Sequence, residues 1–174
     1  MKNPSEMAKA ESPSWMALPA ERTFIHSFRG LVNGYEAEQI RDGADVAMCL
    51  SMQFAENSLR PVLAGLWRFA SSYRYWALAP TGYHCSDCPC LARDEFLSVA
   101  LLSSMQRRDS RCMTTCLDLM LQYGGRKAVC QDAMELALLF ASAGLKFRPI
   151  CERDVQNSAF PISEGVRAEG SRLH

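Results

Sequence analysis

The sequence predicts an all-α protein, a single-domain bundle of about five principal helices with a cysteine-rich loop between two of them. Three observations lead there. Apolar residues recur at three- and four-residue intervals through the middle of the chain, Ala, Leu, Met and Arg are plentiful, and alternating β-branched runs are few. With 174 residues and 48% hydrophobic content, the chain can bury one core without help from disulfides.

Residues 1–22 mix Pro13, Pro19, Ser and charges without a sustained period and read as a flexible leader. Residues 23–150 form the expected helical domain, although the period of Thr23 to Leu31 is ambiguous. Asn33-Gly34 can start a helix in which Ile40, Ala44, Ala47, Met48, Ser51 and Ala55 trace one face and Val46, Leu50 and Phe54 its neighbour, so deep burial is expected. Pro61 suits the first turn of the next helix, where a missing amide proton costs nothing, and Leu66, Phe69, Tyr73 and Trp76 supply its stripe. Ala79-Pro80-Thr81-Gly82 breaks that helix.

Beyond the break, Asp94-Glu95 fall in a first turn, where carboxylates favour the positive end of the helix dipole, and Leu97, Leu101 and Met105 follow at fourfold spacing. Ser110 can cap a short helix carrying Met113, Cys116, Leu117 and Met120, which Gly124-Gly125 stops. The last helix runs from about Lys127 to Ala143. Its wide apolar set is Val129, Ala133, Leu136, Ala137 and Phe140 with Met134, Leu138 and Leu139 alongside, and Gly144 stands where a left-handed cap belongs. Residues 151–174 are rich in charge, Gly and Ser and read as a polar tail.

The departure from ordinary globular composition is His84-Cys85-Ser86-Asp87-Cys88-Pro89-Cys90, on the loop between the second and third expected helices. Cys85-x2-Cys88 has the half-site spacing of zinc knuckles, because a tight turn lets both sulfurs face one tetrahedral ion, and Cys90 adds a third thiolate. The usual second pair is missing. His84 is the nearest fourth ligand but adjoins Cys85 awkwardly, so Cys112 or Cys116, one turn apart on one helix face, are the other candidates. Zinc leads an iron–sulfur cluster, which three close thiolates and a remote fourth also suit. For an isolated cysteine such as Cys49 or Cys130, plain burial is the simpler reading.

Other functions are disfavoured. Lys plus Arg equals Asp plus Glu at 19 each, which removes the overall cationic footprint of a nucleic-acid binder. The aromatic and arginine residues of Leu66 to Trp76 fit a core stripe better than a base-stacking platform, with Trp67 as a candidate exposed anchor. Arg107-Arg108 fall near a helix C-terminus, which favours cations, and Arg126-Lys127 near an N-terminus, which does not. No phosphate-cradling glycine loop, nucleophile elbow or His-Glu-x-x-His helix is present, and three histidines are a thin supply of general bases. No stretch resembles a signal peptide or a membrane span, so a cytoplasmic location with reduced thiols is expected. The sequence therefore points to a non-enzymatic accessory or regulatory protein that acts on a protein partner and holds a structural zinc. A carrier of metal or iron–sulfur clusters is the second reading and a thiol oxidoreductase the third.

Overall fold

The computed structural model describes residues 15–37, 41–84 and 88–158. Seven α-helices lie among them: α1 (Pro19–Ala37), α2 (Arg41–Ser51), α3 (Glu56–Trp76), α4 (Arg93–Arg107), α5 (Ser110–Met120), α6 (Arg126–Ser142) and α7 (Glu152–Ser158). The all-α class holds, with no strand among the described residues. The expected count of five is exceeded among the described residues, because the first expected helix is two and a short seventh follows α6.

The helix expected to start at Asn33-Gly34 starts at Pro19 instead and runs through both residues. A helical glycine costs up to about 1 kcal/mol against alanine. Burial of Phe24, Ile25, Phe28, Leu31 and Val32 outweighs that cost, at about 1.5–3 kcal/mol for each large apolar side chain. The ambiguous segment Thr23 to Leu31 is thus the centre of a core helix. In α2 only the Val46, Leu50 and Phe54 side is buried; Ala44, Ala47, Met48 and Ser51 face outward. Two adjoining apolar stripes did not mean two covered faces, since α2 packs chiefly on α1 and α3 among the described helices.

Helix α3 begins five residues before Pro61, which sits inside it and forgoes one backbone hydrogen bond. Leu66, Phe69 and Tyr73 are buried as their spacing requires, with Val62 and Ala70 beside them, and Trp76 is half-buried. Helix α4 is the axis of the fold, with every residue from Leu97 to Met105 buried. Serines make this possible: Ser103 donates to the Arg148 carbonyl at 2.6 Å and Ser104 to that of Leu101 at 2.7 Å. Arg108, at φ 59°, ends the helix in the left-handed region.

The cap of α5 is Asp109, whose carboxylate accepts from the Cys112 amide at 3.1 Å; Ser110 is the first helical residue rather than the cap. Gly124-Gly125 do not stop α5. It ends at Met120; the next residue, Leu121, pairs with Ala77 in an antiparallel bridge, and the glycines form the turn into α6. In α6 the stripe Val129, Ala133, Leu136, Ala137 and Phe140 is buried, whereas Met134 and Leu138 are exposed. Gly144, at φ 76°, turns the chain back over the core, where Phe147 stacks on Phe140 at 5.3 Å. Phe24, in turn, meets Phe28, Phe69, Phe140 and Phe147, so α1, α3, α6 and the returning segment share one aromatic cluster. At the start of the expected tail, α7 buries Val155.

Candidate functional site

A buried ion pair organises the connection from α3 to α4. Arg29 on α1 and Glu95 in the first turn of α4 are both fully buried, with Nε to Oε1 at 2.7 Å and Nη2 to Oε2 at 2.8 Å. Such a two-point contact is the geometry in which a desolvated guanidinium and carboxylate attract most strongly. The remaining donors of Arg29 reach the loop: Nη1 donates to the Cys88 carbonyl at 2.8 Å and Nη2 to the Cys90 carbonyl at 2.7 Å. Glu95 takes the opposite polarity, accepting from the amides of Ala92 at 2.9 Å and His84 at 3.2 Å.

Asp94 completes the anchorage. Its Oδ2 accepts from the Gly82 amide at 2.6 Å, and the buried Tyr73 hydroxyl donates to the same carboxylate. Burial, with the Asp94 charge and this hydrogen bond, pushes the Tyr73 phenol well above its ordinary pKa. Asp94-Glu95 are therefore more than helix-dipole partners. They bind backbone amides on both sides of the cysteine cluster.

Of the expected ligands, Cys85 lies outside the described residues. His84 is half-buried and anchored through its amide. Cys88 is half-buried and Cys90 exposed, and their side chains are in hydrogen-bond contact. That contact raises the Cys90 pKa, with the Cys88 charge adding to it and Arg29 opposing it. The carbonyls are thus drawn to Arg29 while the side chain of exposed Cys90 meets that of half-buried Cys88, an arrangement able to offer two thiolates to one soft cation.

Cys112 and Cys116 are elsewhere. Both are buried in α5 as free thiols, where Cys112 Sγ donates to the Ile150 carbonyl at 3.7 Å and accepts a hydrogen bond from the Cys116 thiol. The Cys116 hydrogen bond lowers the Cys112 pKa, while the same bond and burial raise that of Cys116. The Ile150 carbonyl also accepts from Arg107, at the far end of α4 from Glu95. Twelve residues of helix, about 18 Å of rise, separate Glu95 from Arg107. No three described His, Cys, Asp or Glu residues stand close enough to share a metal ion, so neither α5 cysteine joins Cys88 and Cys90.

Sequence reasoning missed Arg29. The signal was present, since an arginine stands in the apolar stripe of Phe24, Ile25, Phe28, Leu31 and Val32. Buried arginines are rare unless paired. A separate cavity of about 540 Å³ between α1 and α2 is lined by Arg22, His26, Asp45, Met48, Cys49 and Met52, among others. Burial raises the Cys49 pKa there, against a hydrogen bond from Ser27 and the charge of Arg22. Compared with known protein families, curated proteins and solved structures, the chain matches none. No described helix is long and apolar enough to cross a membrane.

Proposed function

We propose that this protein is a non-enzymatic helical accessory or regulatory protein that acts through protein contacts, with a zinc ion held by the Cys85–Cys90 loop. One observation carries the reading: Arg29 fixes the carbonyls of Cys88 and Cys90, whose side chains meet, with Cys90 exposed. Cys88 and Cys90, held in this way, have already lost conformational entropy that metal binding would otherwise remove. Cys85 supplies the third thiolate in this reading. His84, or a group from the partner, supplies the fourth ligand, because Cys112 and Cys116 are engaged with each other and Ile150.

The exposure of Cys90 favours a second reading, in which the loop carries a metal or iron–sulfur cluster for delivery. Metal analysis and an absorption spectrum of anaerobically purified full-length protein separate the two. Colourless protein with one zinc, lost in Cys88→Ser together with a lowered melting temperature, is the expected result. Visible charge-transfer bands would favour the carrier, and protein without metal or colour would remove both.

A further inference from the structure

We infer that Cys88 and Cys90 form a reversible disulfide with each other by exchange with a low-molecular-weight disulfide, and that closing this bond releases the metal of the loop. The release rests on the zinc reading above. The disulfide does not, because it needs only these two free thiols, whose side chains meet.

Chain geometry, anchorage and access single out this pair. Two residues of chain reach at most about 7 Å, and a disulfide takes Cα atoms about 4.4–6.8 Å apart. Arg29 fixes the backbone within that reach, holding the Cys88 carbonyl at 2.8 Å and the Cys90 carbonyl at 2.7 Å with one guanidinium. Pro89, between them, has its φ set by its own ring. Closing the bond therefore removes little further freedom. Cys90 is exposed and Cys88 half-buried, so an incoming disulfide meets Cys90 first. The other described cysteines lack this combination. Cys112 and Cys116 also meet, but both are completely buried, where thiols are inert. Cys49, Cys130 and Cys151 meet Ser27, Met113 and Asp154 respectively, none of them a thiol.

The exchange balances within these groups. The Cys90 thiolate attacks one sulfur of the small disulfide, oxidised glutathione for example, and one small thiolate leaves. The Cys88 thiolate then attacks the Cys90 sulfur, the Cys88–Cys90 bond forms, and the second small thiolate leaves. Two electrons pass from the cysteine pair to the small disulfide, and the two cysteine protons end on the released thiols. Excess reduced thiol runs both steps backwards. A disulfide sulfur is no longer a thiolate, so closure withdraws two of the three cysteines of the Cys85–Cys90 loop from a bound zinc. Arg29 holds carbonyls rather than sulfurs, so closure itself breaks no bond of the Arg29–Glu95 pair.

The test is to equilibrate full-length protein, metal-free and zinc-loaded, in buffers of varied reduced-to-oxidised glutathione ratio. Acid quenching, differential alkylation and peptide mass spectrometry then map which cysteines are bonded. A Cys88–Cys90 bond should accumulate as the oxidised fraction rises, in the metal-free parent and in Cys85→Ser alike, and disappear with excess reduced glutathione. Zinc-loaded protein should lose one ion per bond formed, read with a chromophoric zinc indicator, and regain it on reduction. Cys88 and Cys90 both left reduced, or each carrying its own glutathione, would overturn the inference. A Cys85–Cys88 bond in its place would overturn it too. A Cys88–Cys90 bond in protein that binds no zinc would uphold the disulfide and remove the metal reading. Zinc that stays bound after closure would uphold the metal reading and remove the release.

Discussion

Arg29 and Glu95, 66 positions apart in sequence, bury their opposite charges completely against each other and between them hold the backbone of His84, Cys88, Cys90 and Ala92. Removing a charged pair from water costs several kcal/mol per ion, and the attraction offsets this only when the remaining donors and acceptors are also satisfied. Here the loop backbone satisfies them. The same bonds therefore serve the stability of the core and the shape of the loop.

Breaking one half of the pair is the most informative single change. Glu95→Gln leaves the Arg29 charge buried without its counter-ion and should cost about 3–5 kcal/mol, read by urea denaturation. Arg29→Lys should also be poorly tolerated, because a single ammonium cannot reproduce the planar fork that meets a carboxylate and two carbonyls together. In both variants Cys88 and Cys90 should react faster with a water-soluble alkylating reagent. An unchanged denaturation midpoint would show that the pair contributes nothing net.

Alkaline pH should destabilise the fold. The Tyr73 phenol and the Cys130 thiol are raised by burial, Tyr73 also by Asp94, so in each the unfolded chain loses its proton at a lower pH than the folded one. Their contribution is fully present below the unfolded pKa values and is lost as pH rises through the folded ones. Unfolding free energy should begin to fall near the ordinary thiol value of 9.0 and continue to fall as the phenol titrates in the unfolded chain. Tyr73→Phe should flatten the later part of that decline. Stability that rises above this pH would contradict the assignment.

Gly125 is a test of how the end of α3 meets the turn into α6. A Cβ at this position would overlap the Trp76 indole at its Cβ, Cγ and Cδ2 atoms, close to the α3 backbone rather than at a movable tip. Gly125→Ala should therefore cost about 1–3 kcal/mol and shift the tryptophan emission. Gly124→Ala, whose Cβ would come no closer than 3.3 Å to the indole, should cost less. Equal melting temperatures for the two variants would argue against this packing.

What the sequence determined by itself was local. Fourfold apolar spacing located most of α3, α4, α5 and α6, because a helix buries one stripe and the residues of a stripe recur with the helical period. The Ala79 to Gly82 break likewise placed the cysteines between helices. Tertiary structure decided the rest. Packing carried α1 through Asn33-Gly34 against their weak helical propensity, and left one of the two apolar faces of α2 to solvent. It also engaged Cys112 and Cys116 with each other, since α5 follows α4 by a tight turn that keeps Cys112 at the Arg107 end, against the Ile150 carbonyl. Above all, only the folded chain could give Arg29 its partner. A helical period states which residues are buried together, whereas the choice of Glu95 depends on how α1 and α4 meet.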